Sequence, residues 1–248
     1  MSDLARDDVL QALHEQIGSD FGPVRPLAHP GRRAGWLIPL AVAVTVTAPV
    51  LGGGRPDLGG SGLVMTWGVT ALQALVGMWV LRLALREAVP GRAVSPRLLT
   101  AAVAGACLVV VLITLATNAV SPTDVPPGKG YQYWQECVIG PIVFASPLLL
   151  AAVMMAVRAF PTRPALTGAL CGLSAGVLSD AGWRLSCGVS DPTHVLGSHG
   201  VAIAALACGG ALLATLAERR RWARIRRSSH GDRATSEPPF KEGCLRVR

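Results

Sequence analysis

Five residues in the second half of this chain carry side chains that bind metals or react with oxidants. Cys187, Asp191, His194 and His199 follow one another in the spacing C-x3-D-x2-H-x4-H, and Cys137 precedes them. Two thiols can form a disulfide or another redox-active pair. With imidazole and carboxylate groups they also make a ligand set that suits a soft or borderline metal ion. The spacing matches no established zinc motif, so a third interpretation, two unlinked loop cysteines, stays open.

Six apolar segments must position these residues. They cover residues 34–51, 63–81, 98–117, 138–157, 165–182 and 198–216. A helix of about 20 residues crosses the hydrocarbon core of a bilayer, which is about 30 Å thick. Hydrophobic residues make up 51% of the chain and charged residues only 15%, as expected for helices packed in lipid. The sequence therefore predicts an all-α membrane protein with six transmembrane helices within residues 34–217.

The arginines predict how these helices are oriented. Alternate flanks are rich in arginine, whereas the remaining loops carry one cation each, namely Arg55, Lys129 and Arg184. Short loops with an excess of Lys and Arg stay on the cytoplasmic side. Both termini are therefore predicted to be cytoplasmic, in the inner membrane of a bacterium, with Cys137 and Cys187 on the periplasmic face. The periplasm is oxidising, so a disulfide can persist there. No cofactor is expected, and under the metal interpretation an ion would bind only transiently at this face.

The first 33 residues predict a cytoplasmic segment that binds a partner. Val9, Leu10, Leu13 and Ile17 form an apolar stripe at helical spacing. Five acidic residues against one arginine make residues 1–20 negatively charged. An acidic amphipathic helix binds membranes poorly but matches a basic protein surface. Prolines then predict an extended connector to the first span, and residues 218–248 predict a basic, disordered tail.

Few residues in the predicted spans could support catalysis or transport. Asp180 lies near one end of the fifth segment, and the other segments carry no charge between their ends. Ion-coupled transport and catalysis within a membrane usually need ionisable residues at depth. The chain is therefore predicted not to be an enzyme, and a small-solute or metal transporter is the alternative function. The net charge of +8 lies mostly beside helix ends, where the lipid bilayer rather than nucleic acid is the expected partner.

The order of these features resembles the NrsF-type anti-sigma factors, a bacterial family of six-span inner-membrane proteins that restrain extracytoplasmic-function sigma factors. The resemblance covers roughly residues 1–220. It rests on a short N-terminal helix followed by Pro23-Val24-Arg25, on Gly54-Arg55-Pro56-Asp57-Leu58 after the first segment, on Cys137 at the start of the fourth, and on the stretch from Cys187 to His199.

The resemblance implies a function and a division of roles. The cytoplasmic N-terminal segment would hold the sigma factor, through the apolar stripe and through Pro23, Val24 and Arg25. The two periplasmic cysteines would take part in sensing envelope or metal stress. The expected protein is a membrane-anchored anti-sigma factor that sequesters its sigma factor until a periplasmic signal alters Cys137 and Cys187.

Overall fold

The computed structural model describes residues 10–11, 14–15, 27–55, 62 and 64–236, and over these ranges its regular structure is helical, without strands. The α-helices with defined bounds are α1 (Pro30–Trp36), α2 (Ile38–Gly52), α3 (Val69–Glu87), α4 (Pro96–Val120), α5 (Gly130–Val157), α6 (Pro164–Trp183) and α7 (Pro192–Ser236). A π-helical turn, Val64–Gly68, leads directly into α3. The prediction of an all-helical protein is confirmed for the described residues.

Most of these helices have the length and composition of membrane spans. Five described segments pass this test alone: Val64–Glu87, Pro96–Val120, Gly130–Val157, Pro164–Trp183 and Pro192–Arg227. Helices α1 and α2 are each too short to span a membrane alone. They pass only when counted together as one span, with a bend of 40° between them. Pro39, in the first turn of α2, explains the bend, because proline cannot donate a backbone hydrogen bond and its ring crowds the preceding turn. The described chain thus has five apolar spans, or six if the bent pair counts as one.

Helix α6 forms the centre of the bundle. It packs against α2, α3, α5 and α7, and most of its residues are buried. Small residues permit this position. A Cβ added at Gly172 would overlap the backbone carbonyl of Leu206, and one added at Gly210 would overlap the carbonyl of Gly168. The backbones of α6 and α7 therefore touch directly, as membrane helices do where small residues repeat every four positions.

The bundle has two chemically different ends. The thiol end comprises residues 53–55, 120–137 and 183–199, and the arginine end comprises residues 27–36, 87–97, 157–164 and 217–227. At the arginine end the buried carboxylate of Glu87 pairs with Arg163 at 2.6 Å. The same carboxylate accepts a hydrogen bond from the backbone N–H of Val94, also at 2.6 Å. These two bonds hold the α3–α4 loop and the start of α6 together.

Two further arginines bind the end of α5 at the arginine end. Arg33 donates a hydrogen bond to the carbonyl of Met155, and Arg221 donates one to the carbonyl of Val157 at 3.0 Å. The guanidinium of Arg221 also lies 3.1 Å from the centre of the Phe160 ring, a cation–π contact. Arg221 belongs to α7, so it fastens this end of α7 to the end of α5.

The segment boundaries differ from the predicted ones at both ends of the bundle. Helix α1 begins at Pro30, before the predicted boundary at residue 34, and α7 begins at Pro192, before the predicted residue 198. Helix α7 also continues through Ser236, whereas a disordered tail was expected from residue 218. Arginine and alanine, which are frequent between residues 217 and 227, are good helix formers, and they let the helix continue beyond its apolar part. Residues 237–248 lie outside the described part of the chain.

The predicted partner-binding residues lie almost entirely outside the described residues. Leu10 is the exception, in a helical turn where its side chain is exposed. The other members of the predicted set are not described: Val9, Leu13, Ile17, Pro23, Val24 and Arg25.

Candidate functional site

Two cysteines and two histidines meet at the thiol end. Cys137 lies in the second turn of α5, Cys187 in the loop between α6 and α7, and His194 and His199 in the first turns of α7. We refer to these four residues as the thiol–imidazole cluster. All four are buried, and one sulfur or nitrogen atom from each lies within 4.8 Å of the corresponding atoms of the others. The early start of α7 creates this arrangement, because it places both histidines on one helix beside the cysteines.

Cys187 lies close to two other members of the cluster. Its Sγ lies 3.5 Å from Sγ of Cys137 and 3.9 Å from Nε2 of His194. No disulfide joins the two sulfurs in this structure. The loop that carries Cys187 is fixed at the end of α6, where the Cys187 N–H donates to the carbonyl of Trp183 at 2.8 Å. This bond fixes the backbone of Cys187 beside the end of α6.

A buried carboxylate orients one of the imidazoles. Nδ1 of His199 lies 2.5 Å from Oδ1 of Asp180, and both side chains are fully buried. The other ring nitrogen, Nε2, makes no hydrogen bond of normal geometry among the described residues. The carboxylate thus fixes the tautomer and the rotation of the ring.

Asp180 is itself held by residues from two helices. Its Oδ2 accepts hydrogen bonds from Nε of Arg184 at 2.8 Å and from Nε2 of Gln73 at 2.6 Å. Arg184 continues the network by donating to Oγ1 of Thr114 at 2.9 Å. One ion-paired network therefore connects α3, α4, α6 and α7 at the level of the cluster. One sign of this network is visible in the sequence, because Asp180 is the lone carboxylate within a predicted span, but its partners could not be identified from the sequence.

An aromatic side chain covers Cys137. Nε1 of Trp183 donates to Sγ of Cys137 at 3.4 Å, and the Trp183 ring packs against Phe144 with ring centres 5.7 Å apart. The ring lies across α5 at Gly140, where any Cβ would overlap it. Gly140 is thus required for the indole to reach the thiol, a role that the sequence did not reveal.

Asp191, the remaining predicted site residue, does not join the cluster. Its Oδ2 accepts a hydrogen bond from the backbone N–H of His194 at 2.8 Å, at the start of α7. This is the position and the bond of a helix N-cap, followed by Pro192 at the first helical position. The carboxylate that bears on the cluster is Asp180, which the prediction did not include among the ligand candidates.

The surroundings of Cys187, which lies outside the apolar spans, favour its ionised form. The hydrogen bond with Cys137 lowers the pKa of the Cys187 thiol well below its ordinary value, and the hydrogen bond with His194 lowers it further, whereas burial opposes both. Thiolate is the form that attacks electrophiles and binds metals. The arrangement can therefore support thiol redox chemistry or metal ligation.

A small cavity adjoins the cluster. Its volume is about 40 Å³, and Cys187, His199, Gln73, Thr114 and Arg184 are among the residues that line it. A water molecule needs roughly 10–15 Å³ of such space, so the cavity holds only a few waters or a small ion. Of the cluster, Cys187 and His199 therefore adjoin a space that fits small species but not large ones.

Comparison with known proteins identifies one family. The family model described as NrsF, negative regulator of sigma F, matches residues 18–220. The match includes helices α1 to α6, the first part of α7, the thiol–imidazole cluster and the Asp180 network. No curated protein and no solved structure matches the chain.

Proposed function

The chain belongs to the NrsF family of negative regulators of sigma F, and we propose that it is a membrane-anchored anti-sigma factor for an extracytoplasmic-function sigma factor. It sequesters the sigma factor in the cytoplasm and releases it when a periplasmic signal alters Cys137 and Cys187. The family match over residues 18–220 is the observation that carries this proposal. The burial of both thiols in one cluster on the helical bundle adds support for the sensing role.

We propose six membrane spans in the bacterial inner membrane, with α1 and α2 together forming the first. The unequal distribution of arginine supports an orientation with the arginine end in the cytoplasm and the thiol end in the periplasm. Arginine-rich loops such as the one that contains Arg158 and Arg163 lie at the arginine end, and the long α7 continues from that end with Arg219 and Arg220. Both termini are then cytoplasmic, where a sigma factor is available.

The partner-binding role falls to the N-terminal segment. Its acidic character and its apolar stripe suit a basic protein surface, and Leu10 of that stripe is exposed. The connector that contains Pro23, Val24 and Arg25 leads to α1, whose Arg33 is bonded to α5. The bound sigma factor would therefore be attached directly to a helix that contacts the end of α5.

Helices α5 and α7 provide a physical link between the two ends. At the thiol end Cys137 of α5 lies in the cluster with His199 of α7, and at the arginine end Val157 of α5 binds Arg221 of α7. A change in the spacing of the cluster shifts these two helices against each other, because packed helices move as rigid elements. Such a shift releases the sigma factor only if its energy differs between the bound and free states.

Oxidation of the two thiols to a disulfide is one signal that would alter this site. Cys137 and Cys187 would each lose a proton and together transfer two electrons to a two-electron oxidant, with formation of a disulfide. Bond formation requires the two sulfurs to approach from 3.5 Å to about 2.0 Å. That approach moves the α6–α7 loop relative to α5.

The function can be tested in the bacterium that encodes the chain. Deletion of the gene should raise transcription from promoters of one extracytoplasmic-function sigma factor, and the full-length protein expressed from a plasmid should restore repression. The same sigma factor should copurify with the tagged full-length protein from detergent-solubilised membranes. Unchanged transcription from all such promoters after the deletion, together with the absence of a copurifying sigma factor, would overturn the proposal.

A further inference from the structure

We propose that the thiol–imidazole cluster is a tetrahedral Cys2His2 binding site for a divalent d10 metal ion, with Zn²⁺ as its reference ligand. The ligands are the sulfurs of Cys137 and Cys187 and the imidazoles of His194 and His199, and Asp180 is the outer residue that orients His199. The site deepens the proposed sensing function, because it contains the same two thiols, and only its regulatory consequence rests on that function.

The distances in the cluster match those of such a site. With Zn–S bonds of about 2.3 Å, two sulfurs of a tetrahedron are about 3.8 Å apart, and a sulfur and an imidazole nitrogen about 3.5 Å. The observed distances are 3.5 Å between the two sulfurs and 3.9 Å between Sγ of Cys187 and Nε2 of His194. All four ligand atoms fall within 4.8 Å of one another. The two individual distances lie within about 0.4 Å of the tetrahedral values, and the remaining pairs, which lie within 4.8 Å, must close further when the ion binds.

The contact between Asp180 and His199 also supports a metal ion at this site, independently of the ligand distances. Metal-binding histidines typically donate their other ring N–H to a carboxylate, which raises their basicity and fixes their orientation. Nδ1 of His199 makes this bond to Asp180 at 2.5 Å. Nε2 of the same ring is buried and makes no hydrogen bond of normal geometry among the described residues, and the ring interacts with the Cys187 thiol instead. A buried ring nitrogen without a normal hydrogen bond is unusual, and a metal ion would satisfy it.

The charges also balance around a divalent ion. Both cysteines coordinate as thiolates, with any thiol proton still present released to solvent, and the two negative charges neutralise the charge of Zn²⁺. The negative charge of Asp180 is already compensated by Arg184 at 2.8 Å. The occupied site and its outer network are therefore neutral, which the buried position requires.

A disulfide explains fewer of these contacts. It would use the two sulfurs but leave Nε2 of His199 and the convergence of both imidazoles without a role. We therefore assign the four-ligand metal site as the resting state of the cluster. Under the proposed function, the bound metal fastens α5 to α7 through Cys137 and the two histidines, so loss of the metal frees the two helices to shift.

The site can be tested on the full-length protein purified in detergent under reducing conditions. After removal of metals with a chelator, titration with Zn²⁺ should load about one ion per chain by elemental analysis. Titration with Co²⁺ should give the visible d–d bands of tetrahedral cobalt and a thiolate-to-cobalt charge-transfer band. Failure to bind either ion, with both thiols titrating as free, would overturn the proposal, and so would an octahedral cobalt spectrum without the charge-transfer band.

Variants separate loss of a ligand from loss of the fold. Cys187→Ser and His194→Ala should abolish stoichiometric binding, and Asp180→Asn should weaken it by about 10- to 100-fold. Cys107→Ser is the matched control outside the cluster, and His194→Cys keeps four ligands and should restore binding. Equal metal content in Cys187→Ser and Cys107→Ser would overturn the site. These measurements need no sigma factor, so a chain that binds Zn²⁺ but regulates no sigma factor would refute the proposed function alone.

Discussion

Asp180 and His199 face each other from neighbouring helices, with Oδ1 and Nδ1 2.5 Å apart in a fully buried part of the bundle. The other oxygen of Asp180 binds Arg184 and Gln73. This carboxylate therefore compensates a guanidinium that is largely buried and orients an imidazole. Each of these roles depends on its negative charge.

We expect Asp180→Asn to destabilise the protein by about 3–5 kcal/mol, because it leaves Arg184 buried without its countercharge. Reversible unfolding in mixed detergent micelles would measure this loss. Asp191→Asn is the matched control, because asparagine is also a good N-cap, and it should change stability by less than about 1 kcal/mol. Equal stability of the two variants would mean that the Asp180 network contributes little to the fold.

The contact between α6 and α7 gives a test at adjacent residues. A Cβ at Gly210 would overlap the backbone of α6, whereas a Cβ at Gly209 meets no atom of the described residues within 4 Å. Gly210→Ala should therefore cost about 1–3 kcal/mol through overpacking. Gly209→Ala should be neutral or slightly stabilising, because alanine is the better helix former. Thermal denaturation in the same detergent would compare the stability of the two variants. A Gly210→Ala variant at least as stable as Gly209→Ala would contradict the close contact.

The thiols should act as one unit in signalling. Cys137→Ser and Cys187→Ser should each change basal or induced activity of the sigma factor, and the double variant should behave like either single one. This non-additivity is expected for residues in direct contact. A reporter gene under a promoter of the sigma factor is the measurement, and Cys208→Ser, which is exposed on α7, is the control. Normal repression and normal induction in the double variant would remove the thiols from the mechanism.

The N-terminal stripe should bind the sigma factor. Leu13→Asp places a charge in the predicted apolar contact and should weaken binding by about 2–4 kcal/mol, which is roughly 30- to 1000-fold in affinity. Gln11→Asp adds the same charge outside the stripe and should have a much smaller effect. Quantitative pull-down of the sigma factor with full-length protein would compare them. If both variants retain the same amount of sigma factor, the stripe is not the binding surface.

The proposed topology can be tested with fusions to alkaline phosphatase, which is active only in the periplasm. Fusions after Gly130 and Val189 at the thiol end should be active, and fusions after Ala93 and Arg224 at the arginine end should be silent. The positive-inside rule sets this expectation. The opposite pattern would place the thiols in the reducing cytoplasm and would contradict the sensing role.

The sequence was sufficient to predict the helical segments but not the contacts between them. Apolar length alone locates the spans, because a bilayer imposes a minimum length on each helix. Apolar length could not predict that His199 lies beside Asp180, because that contact depends on how α6 and α7 pack. The small residues Gly168 and Gly172 carry a signal for close packing, but they do not name the partner helix.

Local chemistry explains the error at Asp191. As a carboxylate between a cysteine and a histidine it resembled a ligand, but an aspartate followed directly by proline is also typical of a helix start. The N-cap role prevails because an unpaired N–H at the beginning of α7 would otherwise be buried without a partner. Asp180 was detected only as an isolated charge, since its position in the fifth span gave no information on the residues opposite.

The burial of both thiols has a consequence for timing. Only 4% of Cys137 and 7% of Cys187 is exposed, and the adjoining cavity holds no more than a few waters. A large reagent can reach the sulfurs only during transient local opening of the bundle. Once the reagent is abundant, the rate of reaction is set by the opening frequency and no longer by the reagent concentration. For such a reagent, the modified fraction then grows with the length of the exposure rather than with the concentration.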